Sequence, residues 1–288
     1  MKEVSRSEYI TRLDSKRGNR MVKVITGIRR CGKSYLLFHL FRRHLMEQGI
    51  HDDHIIALAL DDFMNQQYLQ PAALYRYVTE RIKDNEMHYV LLDEIQLVEG
   101  FEAVLNGFLH RDNLDVYVTG SNSRFLSTDI ITEFRGRGDE IRVSPFRFAD
   151  ICTLYDEHPQ VLLSKYFRFG GMPQVWQTEK TEEREQYLKN LFENVYLSDI
   201  INRYHLRGVE EIGILTDVLA SSVGSLTNTL KIKNTFQSER QSTISLNTIN
   251  SYIGYLKDAF LLSEARRYDV KGRQYISAQQ KYYFADLG

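Results

Sequence analysis

Apolar residues recur along the first half of the chain in two alternating rhythms. The runs 21–26, 55–60, 89–92 and 116–119 are short, rich in Val, Ile, Leu and Tyr, and closed by polar residues. Such runs predict strands buried on both faces of a parallel sheet. Between them the spacing turns helical. Leu36, Leu37, Leu40, Phe41 and Leu45 run up to Gly49; Leu74, Val78 and Ile82 follow Pro71, a good first helical residue, and end near Asn85; Phe101, Val104, Leu105, Phe108 and Leu109 form a third stripe. A short fifth strand is predicted at 141–143. Ahead of the first strand, Ser5 with Glu8 reads as a capping box for a lead-in helix through about Lys16. Strand and helix in alternation predict an α/β core over 1–144.

From Ser144 the strand signals stop and the composition becomes aromatic and helical. A helix is expected over 159–169, then the turn Gly170-Gly-Met-Pro173, then a long helix over 182–204 carrying Tyr187, Leu188, Leu191, Phe192, Val195, Tyr196 and Ile200 on one stripe. We read 145–207 as a helical lid or connector. The rest, 208–288, reads as a helix over 210–222, a polar stretch through Asn234, a helix over 245–260 and strands at 263–267 and 280–285 around a basic turn. Helices followed by a hairpin predict a winged helix. Its second helix carries Asn247, Thr248, Asn250, Ser251, Tyr252 and Lys257, side chains that can reach base edges or phosphates.

The chemistry concentrates at the strand ends. After the first strand comes Gly27-Ile28-Arg29-Arg30-Cys31-Gly32-Lys33-Ser34, the pattern G-x-x-x-x-G-K-[ST], leading through Tyr35 into a helix. In such a loop the glycines let the backbone fold around an anion, and N–H groups at a helix start point at phosphates. Lys33 is expected beside the β- and γ-phosphates, and the Ser34 hydroxyl on Mg²⁺. About sixty residues further on the third strand runs straight into Asp93-Glu94. Asp93 is expected to hold Mg²⁺ and Glu94 to polarise the attacking water. The fourth strand ends in Gly120-Ser121-Asn122, where Ser121 or Asn122 is either a sensor of that water or part of a plain polar turn. Arg135 and Arg137 lie in a glycine-rich loop; either they are solvated, or one of them, Arg137 ahead of Arg135, reaches a γ-phosphate in the same or a neighbouring subunit.

Composition narrows the partners. The 288 residues are 43% apolar and 26% charged, and 37 Lys+Arg against 38 Asp+Glu leave a net charge of −1. No global basic field argues for nucleic acid, so any such argument is regional. Over 208–288 nine Lys+Arg stand against eight Asp+Glu, which leaves DNA binding and protein docking equally open. No signal-like start and no stretch of 18 apolar residues is found, so no membrane partner and a cytoplasmic location are expected. Cys31 and Cys152 make neither a disulfide framework nor a metal set; Cys31 reads as a loop filler, with redox sensitivity as the alternative.

With Gly27 to Ser34, Val90 to Glu94, Thr119-Gly-Ser-Asn122, Gly136-Arg137, Pro145-Phe-Arg-Phe148 and Gly170-Gly-Met-Pro173 in this order, the chain resembles the AAA-type ATPases of bacteria and archaea that carry a C-terminal domain of unknown function. The resemblance spans nearly the whole chain. It implies a P-loop ATPase core, a helical lid and a winged helix, and in longer relatives a restriction-endonuclease-like domain beyond the point where this sequence ends. ATP, ADP and Mg²⁺ are the expected ligands, and a homo-oligomer is one expected assembly. No nuclease residues are carried over. The leading expectation is an ATP-hydrolysing switch that reports to DNA or protein. A nucleotide-gated interaction module and a small-molecule phosphotransferase are the alternatives, and Asp93-Glu94 argues for hydrolysis over the latter.

Overall fold

The computed structural model describes residues 3–121, 138–206, 209–240, 244–266 and 279–288. The chain divides into two compact units, Met1–Glu157 and His158–Gly288.

In the first unit a five-stranded sheet is built from β1 (Val22–Thr26), β2 (Ile55–Ala59), β3 (His88–Asp93), β4 (Leu114–Gly120) and β5 (Gly138–Arg142), in the order β2-β3-β4-β1-β5. Every neighbouring pair is parallel. β4 thus lies between the Asp93 strand and the strand that enters the phosphate loop. Alternation along the strands splits the core in two. Val22, Val24, Ile56, Leu58, Val90, Leu92, Val116 and Val118 face α3 (Pro71–Thr79) and α4 (Phe101–Leu109). On the other face Phe41 packs its ring 4.6 Å from that of Tyr117. Phe41 belongs to α2, which runs through Lys33–Tyr35, a π-helical Leu36–Phe41 and Arg42–Glu47.

The lead-in helix α1 is Ser7–Asp14, and its start differs from the expected capping box. Arg6 is the N-cap, in the left-handed region with φ 46°, and no side chain caps the helix. Glu8 instead pairs with Arg147, just ahead of α5 (Phe148–Leu154). An ion pair to a distant segment has displaced the local reciprocal bond.

The second unit holds α6 (Pro159–Phe169), a long helix α7 made of Thr181–Asn190, a π-helical Leu191–Leu197 and Ser198–Tyr204, then α8 (Val209–Ser221), α9 (Thr229–Arg240), α10 (Leu246–Asp258) and the antiparallel pair β6 (Leu262–Arg266) and β7 (Gln280–Phe284). Helix α9 stands where a polar stretch is expected. Ile232 and Phe236, one turn apart, are 2% and 0% exposed and anchor it, and the Asn228 side chain accepts the Lys231 N–H at 2.8 Å. Two buried apolar residues on a largely polar helix leave a faint periodic signal. The Gly-Gly-Met-Pro turn is a structural joint: Asp286 Oδ2 accepts the Gly171 N–H at 2.7 Å, and a Cβ at Gly170, where φ is 67°, would meet Asp286 Oδ1 at 1.8 Å.

Candidate functional site

The phosphate loop hangs between the end of β1 and the start of α2. Gly27 must be glycine on two counts: its φ is 142°, and a Cβ there would lie 2.1 Å from the Val143 carbonyl oxygen. Gly32, with φ 98° and ψ 26°, turns the chain into the helix. Between them Ile28 and Cys31 are buried while Arg29 and Arg30 are exposed, Arg30 in the left-handed region at φ 65°. Burial pushes the Cys31 thiol above its ordinary pKa, with Lys33 and Arg6 pulling weakly the other way. That matches a loop filler and removes the thiolate character a redox sensor needs.

Lys33 is 4% exposed and folds back over its own loop, donating from Nζ to the Gly27 oxygen at 3.1 Å and the Ile28 oxygen at 3.2 Å. Ser34 and Tyr35 stand exposed at the helix start. The Ser34 hydroxyl lies close enough to Asp93 to lower its pKa, so the hydroxyl and the carboxylate expected on one metal ion lie together. Asp93, 3% exposed at the last position of β3, accepts from the Thr119 hydroxyl of β4. Desolvation raises its pKa and the nearby Glu94 and Asp61 raise it further, while the Thr119 and Ser34 hydroxyls oppose them.

Glu94 leaves the strand in the left-handed region, φ 52° and ψ 45°, a costly conformation for a side chain of its kind. Its N–H donates to Thr119 Oγ1 at 3.0 Å, and its carboxylate accepts from Gln96 Nε2 and, at 3.3 Å, from Ser121 Oγ. Thr119 therefore fixes both carboxylate residues, one through its hydroxyl proton and the other through its oxygen. Gln96 holds one Glu94 oxygen, and its own Oε1 is buried with no partner among the described residues. Sequence reasoning singled out Ser121 and passed over Thr119 and Gln96. The signal for Thr119 was its hydroxyl at the end of an apolar strand whose neighbour ends in Asp93. Asn122, Arg135 and Arg137 lie outside the described residues.

The site thus gathers the carboxyl ends of β1, β3 and β4, where ligands sit in open parallel sheets. The fit to a nucleotide and its cation rests on this donor set: loop N–H groups and Lys33 for phosphate, and the Ser34 hydroxyl with the Asp93 carboxylate for a hard, oxygen-seeking cation.

One other cluster among the described residues has ligand spacing: His54, Asp84 and His88. It lies at the opposite end of the sheet, and ring nitrogens of both histidines already have partners. His54 Nε2 meets Asp84 Oδ2 at 3.0 Å, His88 Nδ1 donates to the Glu86 oxygen at 2.8 Å, and His88 Nε2 accepts the Lys83 N–H at 3.2 Å.

Known proteins share this layout. A family model described as an AAA domain matches residues 19–152, and one described as Domain of unknown function (DUF8612) matches residues 160–288. An uncharacterized protein of Haemophilus influenzae is 35% identical over 294 residues, which cover 99% of this chain and 72% of that protein. The chain belongs to this family of AAA-domain proteins. The family's core is that of an AAA-type P-loop ATPase, a nucleotide-binding fold. Uncharacterized protein MJ1544 of Methanocaldococcus jannaschii is 27% identical over 87% of this chain and 57% of its own length, so this chain spans little more than half of that relative. Among solved structures, CDC6P from Pyrobaculum aerophilum is similar over 92% of this chain and 89% of its own, at 11% identity and a TM-score of 0.45. The Aeropyrum pernix ORC1 protein in complex with DNA is similar over 97% and 89%, at 11% identity and a TM-score of 0.39. Likenesses of that degree bring no activity or partner to this chain. Among the described residues no helix is long and apolar enough to cross a membrane.

Proposed function

We propose that this AAA-domain protein is a Mg²⁺-dependent ATPase that works as a nucleotide switch. The observation that carries the reading is the nearness of the Ser34 hydroxyl to the Asp93 carboxylate, which brings the phosphate loop up to the Asp-Glu strand end at the place where a cation would sit. In this reading the loop N–H groups and Lys33 bind the β- and γ-phosphates, Lys33 giving up its two loop carbonyls to do so. Ser34 and Asp93 hold Mg²⁺, which supplies charge neutralisation on the phosphate oxygens. Glu94 accepts the proton of the attacking water, with Ser121 and Gln96 fixing its carboxylate and Thr119 its backbone. Asn122 and one of Arg137 and Arg135 complete the γ-phosphate contacts, the arginine from the same or a neighbouring subunit of a homo-oligomer.

The second unit reports the nucleotide state to a partner. Three helices followed by an antiparallel strand pair, with Thr227 bridged to Gln280, support a winged helix. DNA is one partner class for it, through the exposed Asn247, Asn250 and Ser251 of α10; Tyr252, expected among them, is buried instead. A specific observation favours protein. Lys257 and Arg266, two of the nine cations of 208–288, are both paired with Glu264, so they are less free to release counterions from DNA. Lys271 and Arg273 lie outside the described residues.

Phosphate release from ATP, measured with and without duplex DNA and with and without Mg²⁺, tests the reading. We expect Mg²⁺-dependent release. Its absence, with ATP still bound, would leave a nucleotide-gated interaction module. Stimulation by DNA that fades as salt rises would identify the partner as DNA, and indifference to DNA would turn the search to proteins.

A further inference from the structure

The N-terminal segment reaches into the phosphate loop through one side chain. At the left-handed start of α1 the Arg6 carbonyl accepts the Tyr9 and Ile10 N–H groups at 2.9 and 3.2 Å, and its side chain leaves the helix inward. The guanidinium lies over the ring of Phe146, 4.8 Å from its centroid, and the residue is 6% exposed. Its fork holds two backbone carbonyls: Nη2 donates to the Cys31 oxygen at 2.9 Å, and Nη1 to the Ser144 oxygen at 3.0 Å. Ser144 is tied again by its N–H to the Tyr9 hydroxyl at 3.1 Å.

The Cys31 oxygen shares a peptide unit with the Gly32 N–H. In a planar trans peptide the C=O and the N–H point in opposite directions, so a carbonyl held toward Arg6 aims the Gly32 N–H the other way. Nothing in Gly32 itself holds that choice, because glycine tolerates both orientations of the preceding peptide. A turned-over peptide would show the phosphates a carbonyl oxygen in place of a donor. Other carbonyls of the loop are already occupied by its own donors, Gly27 and Ile28 by Lys33 and Gly32 by the Leu36 N–H. Cys31 is held from outside the loop.

We propose that Arg6 is a positioning residue that locks the 31–32 peptide with its N–H turned toward the phosphates, and so sets nucleotide affinity from the N-terminal strap; this rests on the phosphate-loop reading above. The lock makes affinity depend on a residue far from the motif in sequence.

The test is ADP affinity by calorimetry for the full chain, Arg6→Ala, Arg6→Lys and Tyr9→Phe, together with the Gly32 amide resonance by ¹⁵N-edited NMR. The Gly32 proton of the parent chain should move downfield on adding ADP. Arg6→Ala should lose about tenfold or more in affinity, the worth of a charge-assisted donor, and the downfield shift with it. Arg6→Lys, which supplies one ammonium in place of a two-armed fork, should fall between. Tyr9→Phe removes the strap's other tie to Ser144 and should melt earlier while keeping the parental affinity. Parental affinity and an unchanged Gly32 shift in Arg6→Ala would overturn the lock, as would equal losses in Arg6→Ala and Tyr9→Phe, which would mean a merely structural strap. If Arg6→Ala does not fold, Arg6→Lys takes its place: a loss of affinity together with the downfield shift supports the lock, and parental values of both overturn it. A parent chain that binds no ADP would overturn the phosphate-loop reading itself, and the lock with it.

Discussion

At the amino ends of β1 and β4 a carboxylate is buried together with its cation, whereas at the carboxyl end of β3 carboxylates are gathered with no ion pair among the described residues. Asp115 pairs with Lys23, their side chains 3% and 0% exposed, and it also accepts from the Tyr117 hydroxyl at 2.9 Å and the Gly18 N–H at 3.1 Å. Lys23 spends its remaining donors on the Met21 oxygen at 3.0 Å and Asn19 Oδ1 at 3.3 Å. Burial still pulls the Lys23 pKa down against the attraction of Asp115, but every strong donor and acceptor of the set is matched. At the other end Asp93 and Glu94 form no ion pair among the described residues, and Asp61 adds a third negative charge. Lys33 looks to backbone carbonyls instead. Both ends have polar groups in an apolar sheet. One is closed upon itself and serves stability; the other has carboxylates without an ion pair among the described residues and is suited to a cation and its phosphates.

The contrast breaks most visibly at the closed end. Asp115→Ala leaves a buried ammonium alone and should destabilise the first unit by about 3–5 kcal/mol, read as lost hydrogen-exchange protection in β1 and β4. Lys23→Met combined with Asp115→Leu removes both charges and should recover part of that loss. Equal damage from the single and the paired replacement would mean that the charges were never what mattered there.

At the open end effects should fall on ligand and rate, with little change in fold. Lys33→Ala should weaken ATP binding by about 2–4 kcal/mol, as expected when a charge-assisted phosphate contact is lost. Calorimetry showing unchanged affinity would end the assignment of this loop to phosphate. Glu94→Gln should keep ATP and Mg²⁺ binding while hydrolysis falls by ~10² or more. Hydrolysis at the parental rate would move the base to Asp93 or another group.

What could be read from sequence divides along the same line. The phosphate loop, Asp93-Glu94 and the strands that carry them were legible because each is local: glycines at fixed spacing, or an apolar run that meets carboxylates. The residues that assemble the site were not. Thr119 acts across a strand pair, Gln96 across a tight turn, and Arg6 across 25 residues of chain to Cys31; none has a local pattern. Lys23 sat inside a run that reads as a buried strand, and only its contact with Asp115, 92 residues away, explains a lysine there. The capping box at Ser5 and Glu8 failed for the converse reason, since a pattern that was locally complete lost Glu8 to Arg147. Helix α9 was missed because Ile232 and Phe236 carry its burial almost alone.

The smallest effect separates the two ends most sharply, because its sign is opposite to intuition. Asp93 has a raised pKa, so its ionisation is harder in the folded chain than in the unfolded one. A carboxyl raised in this way contributes stability that is fully present below the unfolded value of about 3.9 and is lost as pH rises through the folded value. At neutral pH the nucleotide-free protein therefore carries the cost of a buried carboxylate beside Glu94 and Asp61. Asp93→Asn removes that charge while keeping a side-chain oxygen to accept from Thr119. The nucleotide-free variant should melt slightly higher than the parent at neutral pH, the difference should vanish in acid, and Mg²⁺ should no longer stabilise the ATP complex. The same exchange at the closed end, Asp115→Asn, should lower the melting temperature at neutral pH, because there the carboxylate has its cation. If Asp93→Asn also melts lower at neutral pH, the Asp93 charge is compensated in the folded chain and the open end is less open than its geometry implies.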